Sequence, residues 1–256
     1  MNILVIGDVV EKHGIEILEK KLRGIKKLKD IAFTIVNGEN SAGLGTTKDD
    51  VERMYDAGAD VITLGNHAFD RRAIIGYIED DRYLLRPANL TRMNPGRGYE
   101  IYDGPRGCRI AVICLQGRLF GNTNLDNPFT VVDEIIKGLD TKLIMVEIHG
   151  DATSEKLAMG RFLDGRVSGV YGTHTHVQTA DEQVFPGGTG YITDIGMTGV
   201  TASILGMDIP TAISRFEGSV QYSYRGADGE SSISGAIFEL DEKSGKCLSV
   251  ERINIV

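Results

Sequence analysis

Short apolar segments that each end in a polar turn recur along this chain and alternate with amphipathic segments. Seven of them have the length and composition of buried strands: residues 2–7, 33–40, 60–67, 109–117, 142–150, 166–174 and 190–196. Residues 14–29 carry apolar residues at helical spacing, and residues 46–59 begin at a Thr cap that acidic residues follow. This alternation predicts an α/β fold with helices outside the sheets.

The sequence shows no linker that would divide the chain. Its 256 residues suit one large α/β domain or two small ones, and 41% of them are apolar, which is ample for a core. The Gly-, Pro- and Arg-rich residues 91–107 are predicted to form a long surface loop. Residues 234–256 are predicted to form a closing hairpin around a Lys-Ser-Gly turn. We expect a single domain over residues 1–256, with two packed sheets or one large mixed sheet.

Charge and composition argue against several classes of partner. The net charge of −8 weighs against binding to nucleic acid or to an anionic membrane. No apolar run approaches the ~20 residues of a membrane span, and the start does not resemble a signal peptide. The three cysteines are scattered, which favours a reducing compartment. We expect a cytoplasmic protein without membrane or stable nucleic-acid partners, in which edge strands of the C-terminal hairpin could support homo-oligomers.

Five of the predicted strands end in residues that can bind a metal ion. These residues are Asp8, Glu39, Asn40, Asn66, His67, His149, His174 and His176. Ligands gather at the carboxyl ends of strands in such folds, so we expect these side chains to converge. On an extended segment, His174 and His176 would point to the same side and reach one metal cluster. His13, the remaining histidine, is predicted to be a solvated loop residue before a helix.

The chemistry of this set favours transition metals. It combines carboxylates, amides and imidazoles without a thiolate, which suits Fe, Mn, Zn or Co better than Mg or Ca alone. There are enough ligands for two metals with a bridging carboxylate, the usual arrangement for attack at phosphorus. Taken singly, Asp8 could cap a helix, Asn66 and His67 could shape a turn, and His149 could be a buried structural histidine. Their joint occurrence favours the metal site.

The ordered stretches "GDVV", "NGEN", "GNHAFD", "EIHG" and "GTHTH" carry a family resemblance. They resemble the motifs of the calcineurin-like metallophosphoesterase superfamily, with Val10 and Glu39 where that superfamily has a histidine and an aspartate. The chain resembles the YmdB-like branch from end to end, in stretches such as "NGENSAG", "EIHGDATSEK" and "YITDIGMTG". The resemblance implies a two-sheet αββα sandwich and a phosphodiesterase acting on cyclic nucleotides, above all 2′,3′-cyclic ones. It also implies a di-iron or di-manganese centre, and the donor set by itself also accepts zinc.

The resemblance implies a role for each residue as well. The first metal would be held by Asp8, Glu39, Asn40 and His176, and the second metal by Glu39, Asn66, His149 and His174. Glu39 would bridge the metals, a water or hydroxide between them would attack phosphorus, and His67 would protonate the leaving oxygen or stabilise the phosphoryl charge. A 2′,3′-cyclic substrate would open to a 2′- or 3′-monophosphate, and 3′,5′-cyclic nucleotides would be a second substrate class.

Two other interpretations stay open. The same metals could serve a phosphomonoesterase or an RNA nuclease, although a nuclease needs a basic groove that this acidic chain shows poorly. The chain could also be a metal-containing regulatory protein without catalysis. The presence of His67 beside a full ligand set argues against that interpretation, because metal storage needs no acid.

Overall fold

The computed structural model describes residues 1–119, 124–218 and 223–256 of the chain. The helices in these ranges are α1 Glu11–Leu28, α2 Lys48–Ala57, α3 Ile74–Asp80, α4 Pro128–Lys137, α5 Thr153–Phe162 and α6 Ile209–Phe216. The strands of the first half are β1 Asn2–Ile6, β2 Asp8–Val9, β3 Ile31–Asn37, β4 Val61–Thr63, β5 Leu84–Leu85, β6 Tyr99–Asp103 and β7 Arg109–Gln116. Those of the second half are β8 Leu143–His149, β9 Gly169–Thr173, β10 Gln183–Val184, β11 Gly190–Ile192, β12 Met197–Val200, β13 Ser231–Leu240 and β14 Cys247–Ile255.

Two sheets form the centre of the molecule. The larger sheet has the order β2-β12-β13-β1-β3-β4-β5, with β14 paired to β13, and the smaller has the order β10-β11-β9-β8-β7-β6. The pairs β1–β3, β3–β4, β7–β8 and β8–β9 are parallel. The carboxyl ends of these central strands therefore lie at one edge of each sheet, where ligands gather in folds of this class.

The apolar residues of β1 show how the layers are held together. Leu4 and Ile6 belong to a buried cluster with Leu18 of α1, whereas Ile3 and Val5, on the opposite face, pack with the second sheet. This alternation is the period of two that a strand imposes on its side chains. A third cluster joins the second sheet to α4 and α5. The order helix, sheet, sheet, helix confirms the predicted two-sheet αββα sandwich.

The C-terminal hairpin also forms as predicted. Strand β13 pairs antiparallel with β14 from Ile233↔Ile255 to Leu240↔Cys247, and a turn at 241–246 connects them. Within the described residues β14 pairs only with β13, so it is an edge strand. Homo-oligomerisation through this edge stays a prediction.

Two details of the sequence interpretation are wrong. Residues 99–103, assigned to a long loop, form β6, which pairs antiparallel with β7 and buries Tyr102. The segment "YEIYD" has the alternation of a strand, but the Gly, Pro and Arg residues around it are typical of a loop. Helix α1 begins at Glu11, so His13 lies in its first turn rather than in a loop. The Nε2 atom of His13 lies 2.7 Å from Asp228 Oδ1.

Among the described residues, none of the helices combines the length and the apolar character that crossing a membrane requires.

Candidate metal centre

The predicted ligands meet where the parallel strands end. Asp8 is the first residue of β2 and His149 is the last residue of β8. The others follow a strand: Glu39 and Asn40 follow β3, Asn66 and His67 follow β4, and His174 and His176 follow β9. The structure brings the predicted metal ligands together in two adjoining groups, and Glu39 contacts both.

The first group is centred on the imidazole of His149, which is fully buried. Its Nε2 atom lies 2.9 Å from each of three atoms: Glu39 Oε1, Asn66 Oδ1 and His174 Nδ1. Candidate ligand atoms of Glu39, His149 and His174 all lie within 4.8 Å of one another. A ring nitrogen carries at most one proton, so it cannot satisfy three close neighbours by hydrogen bonding alone. A cation at the centre of these atoms would satisfy all of them.

The second group consists of Asp8, Asn40 and His176. Asn40 Nδ2 lies 3.1 Å from His176 Nε2 and 3.4 Å from Glu39 Oε1, which links this group to the first. Asp8 Oδ1 lies 3.9 Å from His176 Nε2 and 3.9 Å from His149 Nδ1. This carboxylate oxygen is buried and has no hydrogen-bond partner among the residues that the structure describes. A buried oxygen without a donor costs free energy unless something positive approaches it.

These observations test whether the residues fit metal ions. The orphaned oxygen of Asp8 needs a positive partner, and the donors of both groups are the oxygens and imidazole nitrogens that transition metals accept. A 180° rotation of the Asn40 side-chain amide would put its oxygen, which can bind a metal ion, where its nitrogen lies. Gly65 adds a steric argument, because a Cβ there would collide with His149 and with the Glu39 carboxylate. The site therefore fits metal ions.

The charges at the site depend on one another. Burial raises the pKa of the Asp8 carboxyl, and the nearby histidines oppose that shift only in part. Burial acts in the same direction on Glu39, but His149 and His67 outweigh it and lower the pKa of Glu39 to about 2. Burial lowers the pKa of His149, but Glu39 and Asp8 outweigh it and raise that pKa to about 9. Burial and the adjacent His149 lower the pKa of His174 to about 4. His149 thus carries a proton in the absence of a cation, and a bound cation would replace it.

A buried carboxylate behind His149 orients its ring. His149 Nδ1 lies 2.9 Å from Thr173 Oγ1, and that hydroxyl donates to Glu147 Oε1 at 2.8 Å. Glu147 also accepts hydrogen bonds from Asn37 and Thr63 of the other sheet. With the Thr173 hydroxyl donating to Glu147, His149 Nδ1–H donates to Thr173, and once a cation replaced the Nε2 proton the lone pair of Nε2 would face the first group. Sequence reasoning missed Glu147, although an acidic residue inside the apolar strand "LIMVEIH" was a usable signal.

The backbone at His174 and His176 differs from the expectation. Strand β9 ends at Thr173, and both histidines have positive φ, 92° and 64°. They are therefore not on an extended segment, and the argument from strand alternation is wrong. Non-glycine residues in this conformation cost about 1–3 kcal/mol each, so surrounding contacts must hold them. As a result, His174 joins the first group and His176 joins the second.

The contacts that hold this loop centre on a buried ion pair. Lys156 Nζ donates to Thr173 O and to Asp194 Oδ2, each at 2.7 Å. Asp194 Oδ2 also accepts from the backbone N–H and the hydroxyl of Thr175, at 3.2 and 2.8 Å. Asp8 Oδ2 accepts from the His174 N–H at 3.1 Å. The residues on both sides of His174 are thus tied to buried charges.

His67 lies beside the ligands and does not belong to either group. Its N–H donates to Glu39 Oε2 at 3.2 Å, and its ring Nδ1 lies 2.7 Å from Asp70 Oδ2. Its side chain is partly exposed and borders a cavity that it shares with His174 and His176. This placement leaves its ring accessible to a substrate.

Comparisons with known proteins agree with this geometry. The family model described as "YmdB-like protein" matches residues 4–253. A 2′,3′-cyclic-nucleotide 2′-phosphodiesterase of Bacillus subtilis is 44% identical over 258 residues, which cover 100% of this chain and 97% of that protein. A crystal structure of a hypothetical protein from Thermus thermophilus superimposes with a TM-score of 0.93 at 33% identity, over 99% of this chain and 98% of that one.

A second solved structure has the same fold. It is described as a novel phosphatase from Mycoplasma pneumoniae, and it superimposes with a TM-score of 0.94 at 31% identity, over 100% of this chain and 93% of that one. The match of the family model and the identities over whole chains establish kinship as well as fold. The chain therefore belongs to the YmdB-like protein family, the branch of the calcineurin-like metallophosphoesterases that its motifs resemble.

Proposed function

We propose that this chain is a binuclear metal-dependent phosphodiesterase that opens 2′,3′-cyclic nucleotides, with 3′,5′-cyclic nucleotides as a second substrate class. One observation carries the proposal: two adjoining groups of metal-competent atoms share Glu39 and lie beside His67, which belongs to neither group. The chain is a phosphoesterase by family, and the Bacillus subtilis relative bears the name of a 2′,3′-cyclic-nucleotide phosphodiesterase. We treat residues 1–256 as the single domain that performs this reaction.

Two transition metal ions would bind at the two groups. Asp8, Asn40 and His176 would hold one, Asn66, His149 and His174 would hold the other, and Glu39 would contribute to both. Iron is the first expectation for this donor set, with manganese or zinc as alternatives. When bound, the metals would supply positive charge to the phosphoryl group and would lower the pKa of a coordinated water.

Residues of the chain itself would supply the proton that the leaving group needs. The carboxylate of Asp70 lies 2.7 Å from His67 Nδ1, so it would accept a hydrogen bond from that nitrogen and orient the ring. The other ring nitrogen would then donate its proton to the ribose oxygen that leaves phosphorus. The hydrogen bond from the His67 N–H to Glu39 fixes this histidine relative to the bridging ligand. Asp70 was not predicted from the sequence, although it stands three residues after His67 in "NHAFD".

A small substrate suits the site better than RNA. Two cavities of about 460 and 240 Å³ border the ligands, and the net charge of −8 gives no long-range attraction for a polyanion. A 2′,3′-cyclic phosphate would open by cleavage of one P–O bond, with water adding at phosphorus and a proton going to the leaving oxygen. The product would be a 2′- or 3′-monophosphate.

The test compares wild type with His67→Ala and with His13→Ala as the matched control, because His13 lies on α1 among acidic surface residues. Metal-loaded proteins would be assayed with 2′,3′-cyclic AMP, 3′,5′-cyclic AMP and nitrophenyl phosphate, and the products identified by chromatography. We expect His67→Ala to keep two bound metals and to lose about 10²–10⁴-fold in kcat on 2′,3′-cyclic AMP. His13→Ala should match wild type.

Other outcomes would favour the rival functions. Unchanged turnover in His67→Ala would remove this residue from the mechanism. Hydrolysis of nitrophenyl phosphate without hydrolysis of a cyclic ester would favour a phosphomonoesterase. Two bound metals without any turnover would favour a regulatory protein.

A further inference from the structure

Two cavities border the candidate metal centre, and they differ in character. The cavity of about 460 Å³ is bordered by Asn66 and His149 together with the carboxylates of Asp70 and Asp151. The cavity of about 240 Å³ is bordered by His67 and His176, and most of its other walls are apolar. His174 borders both cavities, so a ligand at the metal centre can extend into either of them.

The apolar walls of the smaller cavity are exposed to solvent. Leu44, Leu205, Phe216 and Tyr224 are 48%, 50%, 82% and 41% exposed. They come from separate parts of the chain: the loop after β3, the loop after β12, the end of α6 and the segment before β13. Large apolar side chains that gather around a polar centre mark a surface that covers a ligand.

One wall of this cavity is fixed to a proposed metal ligand. Leu205 adopts a left-handed backbone conformation with φ of 53°. Its carbonyl oxygen lies 3.1 Å from His176 Nδ1, so the ring donates a hydrogen bond to it. This hydrogen bond ties the backbone of Leu205 to His176. This continuity makes the apolar wall part of the same site as the metal-competent residues.

The aromatic residues distinguish the two cavities further. Phe69, which borders the larger cavity, packs against the buried core beneath α1 and α2. Phe216 and Tyr224 of the smaller cavity keep exposed ring surface. A nucleobase has two apolar faces, and proteins bind such faces by stacking aromatic side chains on them.

We infer that the smaller cavity is the nucleobase subsite of the proposed phosphodiesterase, with Phe216 and Tyr224 as the stacking residues. The inference rests on the proposed function, since it needs a nucleotide whose phosphate lies at the metal centre. The base lies between the exposed rings and Leu205, and the ribose lies toward His67. Stacking accepts every base because every base has a π-face, so the site prefers purines by area and discriminates weakly between adenine and guanine.

The test distinguishes contacts to the nucleobase from contacts to the phosphate. Turnover of 2′,3′-cyclic AMP is compared with turnover of glycerol 1,2-cyclic phosphate, which has the same five-membered ring and no base. The variants are Phe216→Ala, Tyr224→Ala and Tyr224→Phe, and Tyr99→Ala on edge strand β6 is the control because its ring is similarly exposed, at 44%. Each alanine variant should lose at least about fivefold in kcat/KM for cyclic AMP, the lower end of a base–aromatic stack.

The same variants should leave kcat/KM for the glycerol ester unchanged. Tyr224→Phe should retain most of the activity on cyclic AMP, and Tyr99→Ala should match wild type on both esters. Equal losses on both esters, or no loss on cyclic AMP, would overturn the subsite and leave the phosphodiesterase intact.

A binding measurement covers the case in which the proposed function itself fails. Calorimetry would measure the affinity of metal-loaded protein for adenosine 3′-monophosphate and for glycerol 2-phosphate. Without turnover of either cyclic ester, weaker binding of the adenosine ligand alone in Tyr224→Ala would still support the subsite. Equal affinities in wild type and variants, or no binding of the adenosine ligand, would overturn it.

Discussion

Replacing Lys156 with methionine is expected to destabilise the protein and to loosen the loop that carries His174 and His176. The Lys156 side chain is fully buried in α5, and its ammonium group donates to Asp194 Oδ2 and to Thr173 O, each at 2.7 Å. Methionine has a similar apolar stem and removes the charge. The substitution therefore leaves the Asp194 carboxylate buried without its cation.

The magnitude follows from the contacts that are lost. Removing one partner of a buried ion pair costs about 3–5 kcal/mol. Two hydrogen bonds from a charged donor, at about 1.5–3 kcal/mol each, lie in the same range. Asp194 keeps three donors, the N–H and hydroxyl of Thr175 and the N–H of Gly196. These contacts limit the loss, so we expect a decrease of about 3 kcal/mol in the free energy of unfolding.

Urea unfolding of metal-free protein would measure this decrease, with Lys137→Met as the matched control. Lys137 also pairs with a carboxylate, that of Asp133 at 2.6 Å, but its side chain is 71% exposed. An exposed pair of this kind contributes only about 0–1 kcal/mol. The double variant Lys156→Met/Asp194→Asn removes both buried charges and should recover part of the loss, which a double-mutant cycle would quantify.

The reasoning would be refuted by a Lys156→Met protein whose unfolding free energy lies within about 1 kcal/mol of wild type, as for an exposed pair. It would also be refuted if the double variant were no more stable than Lys156→Met, because the cost would then not come from an unpaired Asp194.

Three further predictions concern the metal centre. Gly65→Ala should abolish metal binding, measured by calorimetry, because its Cβ would collide with His149 and Glu39, whereas Gly76→Ala in α3 meets open space and should bind normally. Thr173→Val removes the hydroxyl between His149 and Glu147 and should weaken metal affinity about 10- to 100-fold; an unchanged affinity would show that this contact does not orient the ring. In metal-free protein, burial lowers and Glu39 raises the pKa of His149, to a net value of about 9 against an ordinary 6.5. The stabilisation from a raised histidine pKa is fully present below pH 6.5 and is lost as the pH rises through 9. The free energy of unfolding in urea should therefore fall by about 3 kcal/mol across that window. A flat profile would contradict the ion pair between His149 and Glu39.

The sequence allowed the layers of the fold to be predicted, because each central strand has an apolar run that ends in a polar turn. The order of the strands within each sheet could not be predicted from the sequence. Strand β13 pairs with β1 as well as with β14, and its pairing with β1 joins opposite ends of the chain. Such contacts depend on packing between elements rather than on any local pattern. The same limit explains β6, whose pairing with β7 outweighs the turn-forming residues around it.

The candidate site was also predictable from the sequence only in part. Residues at strand ends, such as Asp8 and His149, could be placed because parallel strands deliver their carboxyl ends to one edge. The conformation of His174 and His176 could not, because their positive φ values depend on buried contacts of Lys156 and Asp194. Tertiary contacts can hold a backbone conformation that no local sequence pattern predicts.

The most direct test of the central claim is a metal titration of chelator-stripped protein. Mn²⁺ or Fe²⁺ would be added in steps while turnover of 2′,3′-cyclic AMP and bound metal per chain are measured in the same samples. The account predicts no turnover without metal, a maximum at two bound ions per chain, and a 2′- or 3′-monophosphate as the product. Full turnover by the stripped protein, or a maximum at a single bound ion, would contradict the binuclear centre.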